Sequence, residues 1–99
     1  MIYSIDEIKR RIEPVAKKYA VSMVWLFGSY ARGEATEKSD VDLLIEGGKI
    51  RTLFQLAALR LELEDALRKP VDLVTIGDDN QDFLRRIRQD EVILYDDAA

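Results

Sequence analysis

Three short strand-like runs alternate with segments of helical periodicity, and this alternation constrains the fold more than any other feature of the chain. The first and third runs are nearly continuous in apolar residues, whereas the second begins with alternating acidic and apolar residues. The runs cover residues 21–27, 40–46 and 71–76. Each run is followed by a glycine and has the length and composition typical of a buried strand. Helical spacing occupies residues 4–19, 52–68 and 81–89, and a further short strand is predicted at 92–95. The pattern predicts an α/β (α+β) protein with helices packed on a small sheet, in a single domain over 1–99.

The first helical segment carries both a start signal and a break signal. Ser4 is followed three residues later by Glu7, which is the spacing of a capping box. Pro14 interrupts the apolar pattern further along. Because proline clashes with the preceding helical turn, we expect either a kink or two short helices here.

The segment 52–68 is apolar on more than one side. Its leucines have the spacing of one buried stripe, and the additional apolar residues Phe54, Ala57, Ala58 and Leu61 widen that stripe beyond a single face. A small domain can use such an excess to bind another chain, so a hetero-oligomer is a possible assembly.

Composition excludes several kinds of chemistry. The chain has no cysteine and no histidine, which excludes thiolate catalysis and imidazole ligands and leaves oxygen donors, the ligands that favour Mg²⁺ or Mn²⁺. A net charge of -4 disfavours an extended nucleic-acid surface. No apolar run approaches the roughly 20 residues that cross a bilayer, and the first residues lack signal-peptide character. A cytoplasmic protein without a membrane segment is expected.

The first candidate site feature is the sequence Phe27-Gly28-Ser29, at the end of the first predicted strand. Glycine allows close approach of a ligand to the backbone, and a helix start presents unpaired N–H groups that suit phosphate. Taken alone, the pattern favours a plain turn in which Ser29 caps the helix.

The second feature is a set of three aspartates on two predicted strands. Asp40 and Asp42 alternate with apolar residues and therefore share one face of their strand. Asp72 is the acid of the third run, and it joins them if the two strands are neighbours. Carboxylates this close need a cation, such as a pair of divalent ions. The alternative is that the acids of an edge strand and of a strand entrance simply face water.

Two aromatic residues flank the glycine. Trp25 lies inside an apolar run and is expected in the core, whereas Tyr30 follows Ser29 and is open to stacking on a base.

The stretch from Gly28 to Gly33, continued by Ser39 to Leu43, resembles the signature of the nucleotidyltransferase superfamily that includes DNA polymerase β. More narrowly, the chain is similar to the minimal nucleotidyltransferase (MNT) branch, whose members often act as antitoxins to HEPN-domain toxins. The resemblance covers essentially the whole chain. It implies a polymerase β palm-like fold with a small mixed β-sheet.

Matched position by position, the resemblance implies that Gly28 and Ser29 hold the phosphates of ATP. It implies further that Asp40, Asp42 and Asp72 are the catalytic carboxylates and bind two Mg²⁺ ions, with Mn²⁺ possible. Asp72 is the best candidate to accept the proton of the acceptor, since no histidine is available.

Arg32 also matches the signature and is assigned to the nucleotide-binding residues. Its side chain either contacts phosphate or braces the loop by pairing with a carboxylate, and we favour bracing because arginine readily forms such pairs.

The resemblance therefore implies an antitoxin that transfers AMP from ATP to a tyrosine of a cognate HEPN RNase toxin and silences it. One alternative is an antitoxin without catalysis, which neutralises its partner by binding alone. The other is a nucleotidyltransferase whose acceptor is a small molecule or an RNA end.

Overall fold

A computed structural model describes residues 2–76 and 81–98 of the chain. The described part has four helices and four strands. In chain order these are α1 (Ile5–Lys18), β1 (Met23–Phe27), α2 (Gly28–Arg32), β2 (Val41–Glu46), α3 (Leu53–Leu67), β3 (Val71–Thr75), α4 (Gln81–Ile87) and β4 (Val92–Asp96). None of the helices in these residues is long and apolar enough to cross a membrane.

The four strands form one mixed sheet in the order β3-β2-β1-β4. β1 is antiparallel to both β2 and β4, whereas β2 and β3 are parallel. A parallel pair needs a crossover connection, and α3 supplies it. The α/β class and the small mixed sheet are thus confirmed.

α1 begins as expected and continues past the expected break. The backbone N–H of Glu7 donates to Ser4 Oγ at 3.1 Å, within a complete capping box. The prediction of two short helices is wrong, because one helix runs through Pro14 to Lys18. Pro14 is exposed, so the carbonyl that loses its bond can face water, while Ile12 and Ala16 on the buried face hold both halves to the core.

The sheet separates two apolar clusters of unequal size. The larger one lies on the face that α1 and α3 cover, and its buried members include Ile8, Ile12, Val24, Leu26, Leu43, Ile45, Leu59 and Leu63. The smaller one, on the other face, has Phe27, Leu44 and Leu84 as its buried members. Strand alternation places Asp42 and Asp72 on that second face, which is only partly covered.

Two tyrosine hydroxyls provide a matched test of buried polar groups. Tyr3 donates from its hydroxyl to the Leu67 carbonyl at 2.6 Å, which ties the start of the chain to the end of α3. The Tyr30 hydroxyl is also buried but has no hydrogen-bond partner among the described residues. We therefore expect Tyr3→Phe to lower the free energy of unfolding by about 1–2 kcal/mol and Tyr30→Phe to leave it unchanged or raise it. Urea unfolding of both variants measures the difference, and equal losses would contradict this assignment.

Candidate active site

Asp42 and Asp72 lie directly opposite each other on neighbouring parallel strands. The strand starts are joined by the backbone N–H of Val41, which donates to the Pro70 carbonyl at 3.0 Å. Adjacent strands lie about 4.8 Å apart, so the two carboxylates emerge side by side on the same face. Asp40 directly precedes β2 and is exposed. The structure thus makes β2 and β3 the neighbours that the sequence argument required.

The electrostatic environment of Asp42 disfavours its negative charge. Burial raises the pKa of the Asp42 carboxyl to about 6, with further contributions from the carboxylates of Asp72 and Asp40. The Arg32 guanidinium lowers this pKa and offsets only part of the effect. A site with surplus negative charge and oxygen donors only is suited to a hard divalent cation.

The carboxylates of Asp40, Asp42 and Asp72 are near enough to repel one another, but they do not converge on one point as metal ligands would. Within residues 2–76 and 81–98, no group of three acidic side chains is arranged as a ready metal site. Like charges favour separation of the carboxylates until a cation is bound. Metal binding by Asp40, Asp42 and Asp72 therefore stays a prediction, supported by donor chemistry and by the in-register pair on β2 and β3.

Gly28 packs directly against the side chain of Asp42, and it can do so because glycine has no Cβ. Its φ of +70° lies in the left-handed region that favours glycine. A Cβ added at this position would overlap the Asp42 carboxylate, at 2.9 Å from Cγ and still closer to Oδ2. The register explains the contact, since Phe27 pairs with Asp42 and the chain turns into α2 directly afterwards. The glycine thus brings backbone to the carboxylates.

Ser29 lies in the first turn of α2 and is half-buried. The residue that caps this helix is Phe27, which makes no side-chain cap hydrogen bond, so the interpretation of Ser29 as the cap is wrong. The hydroxyl of Ser29 is therefore not used to begin the helix. Its backbone carbonyl accepts from the Glu34 N–H at 2.9 Å, which closes the turn after α2.

Arg32, at the end of α2, pairs with two carboxylates. Its Nε lies 3.2 Å from Glu34 Oε2, and its Nη1 lies 3.7 Å from Asp90 Oδ2. Asp90 follows α4, so the guanidinium links α2 to the segment that leads into β4. These contacts favour the bracing role over direct phosphate contact, while the charge still acts on Asp42.

A basic groove of about 720 Å³ borders Asp40. The groove lies where the segments preceding β2 and β3 meet α1. Its charged lining has four basic residues, Arg11, Lys38, Arg68 and Lys69, against two acidic ones, Glu37 and Asp40. Sequence patterns did not single it out, because these cations come from three separate segments. The groove provides a surface for anionic groups beside the carboxylates of a chain that is acidic overall.

The structure buries Tyr30, which the sequence left open, and packs Trp25 against the smaller apolar cluster. Tyr30 is only 3% exposed and belongs to the larger core cluster, so its ring is not available to stack on a base. Trp25 is half-buried and packs beside Phe27 on the partly covered face. Because side chains alternate along a strand, Trp25 lies on the same face of the sheet as Asp42.

Comparison with known proteins gives a consistent result. The family described as polymerase beta, nucleotidyltransferase matches residues 10–99. A Methanocaldococcus jannaschii protein named as a protein adenylyltransferase is 47% identical over 72 residues, which cover 73% of this chain and 77% of the relative.

Solved structures share the fold at lower identity. A toxin–antitoxin crystal structure with AMP-PNP has a TM-score of 0.77 at 21% identity, over 89% of this chain and 73% of that one. A tri-AMPylated Shewanella oneidensis HEPN toxin in complex with MNT antitoxin gives a TM-score of 0.72 at 18% identity, over 93% and 72%.

Proposed function

The chain belongs to the polymerase beta nucleotidyltransferase family, and from that premise we propose that it is an Mg²⁺-dependent protein adenylyltransferase that acts on a HEPN toxin. The observation that carries this proposal is the pairing of Asp42 with Asp72 across β2 and β3, with Gly28 packed against Asp42. That arrangement places acidic oxygens beside a turn whose backbone a ligand can approach closely.

The phosphate side of the proposed site is the turn from β1 into α2. Gly28 exposes backbone without a side chain, and Ser29 follows with a hydroxyl that does not cap the helix. We assign these two residues to the phosphates of ATP. Arg32 holds the far end of the same short helix in place through Glu34 and Asp90.

The metal side is formed by Asp40, Asp42 and Asp72, which would hold the divalent ions. Ions bound by these carboxylates would supply the positive charge that favours ionisation of the acceptor hydroxyl and stabilises the pyrophosphate leaving group. The raised pKa of Asp42 fits this role, because a carboxylate that lacks sufficient positive charge nearby gains most from a cation.

The reaction is a displacement at the α-phosphorus of ATP. The bond from the acceptor oxygen to this phosphorus forms while the bond from phosphorus to the bridging oxygen of pyrophosphate breaks. The acceptor proton passes to the carboxylate of Asp72, the exposed member of the pair on the two parallel strands. The products are an AMP-modified acceptor and pyrophosphate.

We assign the acceptor to a tyrosine of a cognate HEPN toxin and the reaction to the cytoplasm. The support is that a tri-AMPylated HEPN toxin is bound to an MNT antitoxin in the Shewanella oneidensis complex, whose antitoxin shares this fold. The basic groove beside Asp40 offers a surface for the negatively charged groups that such an acceptor brings or acquires.

The test is transfer from ATP labelled on the α-phosphate, in Mg²⁺, to the HEPN protein of the same host. We expect the wild type to label the toxin and release pyrophosphate, and Asp40→Asn to lose at least about 100-fold in rate, because one metal ligand is weakened. Glu46→Gln is the matched control, because Glu46 is an exposed acid at the far end of β2, on the face of the strand that carries Asp42.

Each other outcome points to a different function. Protection from the toxin by an Asp40→Asn variant that transfers nothing would identify an antitoxin that acts by binding alone. Label that appears on a small molecule or an RNA end, and not on the toxin, would show that the protein is a nucleotidyltransferase with a different acceptor.

A further inference from the structure

We infer that the outer face of α3 is a seam on which a second copy of this chain docks, with its own α3 antiparallel to the first. The seam consists of Phe54, Ala57, Ala58 and Leu61, which recur at helical spacing on the side opposite the buried Leu59 and Leu63. This inference does not depend on the proposed function.

The large apolar side chains of the seam are mostly exposed to solvent. Phe54 is 89% exposed and Leu61 is 60% exposed, and the neighbouring Leu53 is 83% exposed. The inner side of α3 already supplies the core with Leu59, Leu63 and Leu67. A helix that is apolar on both sides is expected to have a second contact partner.

The order of side chains along the seam allows close packing of two helices. Two large residues, Phe54 and Leu61, flank the small pair Ala57 and Ala58. A second helix can approach closely at the alanines, and its large residues then fill the spaces on either side. The spacing is symmetric about the point between Ala57 and Ala58, so an antiparallel copy places Phe54 beside Leu61 of its partner at both ends.

Charges at the two ends of the seam select this orientation. Arg51 is exposed just before the helix and keeps its charge while its Nη1 donates to the Gly48 carbonyl at 2.7 Å, and Asp65 is exposed one turn after Leu61. About the same central point, position 51 corresponds to position 64, so an antiparallel copy brings Arg51 to the end of the seam that carries Asp65 of its partner. Glu64 is already engaged, since its Oε2 accepts from the Val71 N–H at 3.0 Å. A parallel copy would instead face Arg51 with Arg51.

The seam is one face of a single helix and so offers only a small contact area. We therefore expect a weak dimer with a dissociation constant in the micromolar range. The direct test is analytical ultracentrifugation of the full chain over a concentration series. We expect a reversible dimer for the wild type and a monomer for Leu61→Glu. Ile2→Glu is the control, since Ile2 is also exposed but lies off the seam.

Reversal of the end charges tests the antiparallel geometry itself. Arg51→Asp and Asp65→Arg should each weaken the dimer by about 10-fold, because each places like charges together twice. The double variant Arg51→Asp with Asp65→Arg restores both pairs and should recover the wild-type dissociation constant. A double variant that stays as weak as the single ones would overturn the inference.

A cysteine at the centre of the seam gives an independent readout. The native chain contains no cysteine, so Ala58→Cys introduces a single thiol close to the two-fold axis. Disulfide formation requires Cβ atoms about 3.5–4.5 Å apart, which this position allows and the off-axis Leu61→Cys does not. We expect rapid oxidation to a dimer for Ala58→Cys only. A wild type that stays monomeric at all concentrations would overturn the inference, and a seam variant that then loses toxin binding would identify the toxin as the occupant.

Discussion

Asp42→Asn is expected to abolish nucleotidyl transfer while making the metal-free protein more stable. The substitution removes a ligand that we assign to both divalent ions, and the transfer rate should fall by about 10³-fold or more, equivalent to about 4 kcal/mol of lost transition-state stabilisation. Single-turnover transfer from labelled ATP to the toxin measures this loss. Transfer at the wild-type rate would exclude the proposed metal site.

The gain in stability follows from the environment of the same carboxyl group. Burial and the carboxylates of Asp72 and Asp40 raise the pKa of Asp42 to about 6, so its ionised form opposes folding at neutral pH. In EDTA at pH 7, we expect Asp42→Asn to raise the free energy of unfolding by about 1–3 kcal/mol. The advantage of the variant should shrink as pH falls from 6 toward 4, because the wild-type carboxyl then becomes protonated in the folded state.

Urea unfolding at several pH values measures both the gain and its pH dependence. Glu46→Gln, on the same strand and face, is the control and should change neither quantity. An Asp42→Asn variant that is less stable than wild type at pH 7 would show that the carboxylate is stabilised in the fold, contrary to the environment described.

Gly28→Ala is expected to disrupt both the fold and the site. The new methyl group would overlap the Asp42 carboxylate, and alanine would also have to adopt a φ of +70°. Strain and overlap together should lower the free energy of unfolding by about 3 kcal/mol or more, which corresponds to a fall in Tm of about 12 °C or more for a domain of this size. Transfer should fall at least about 100-fold, because displacement of the Asp42 oxygens by even 1 Å misplaces a metal ligand.

Gly33→Ala separates the overlap from the backbone strain. Gly33 has nearly the same conformation, with φ +75°, but nothing lies within 4 Å of an added Cβ. We expect this variant to lose only about 1 kcal/mol, the cost of the left-handed conformation. The double variant Gly28→Ala with Asp42→Ala should regain part of the stability that Gly28→Ala loses. Thermal unfolding of the set measures the difference, and equal losses at the two glycines would rule out a decisive contact with Asp42.

The sequence predicted the elements of this fold well because their signals are local. The capping box at Ser4 and Glu7 and the strands ending at glycines depend on neighbouring residues and on the periods of strand and helix. The alternative of two short helices around Pro14 was wrong because packing of one face of α1 on the sheet outweighs the loss of a single exposed hydrogen bond.

The roles of Trp25 and Tyr30 could not be derived in the same way. Both are aromatic residues within three positions of Gly28, and which of them is buried depends on which elements cover each face of the sheet. The link from Arg32 to Asp90 joins residues that are far apart in the chain, so no local pattern indicates it.

By itself, the sequence determined the succession of helices and strands, the restriction to oxygen ligands and the aspartates that resemble a nucleotidyltransferase signature. Only the tertiary structure decided that β3 lies beside β2 in the register that pairs Asp72 with Asp42, and that Gly28 packs against that carboxylate. The physical reason is that alternation fixes the face on which a side chain lies, whereas strand order and register arise from the packing of the whole chain.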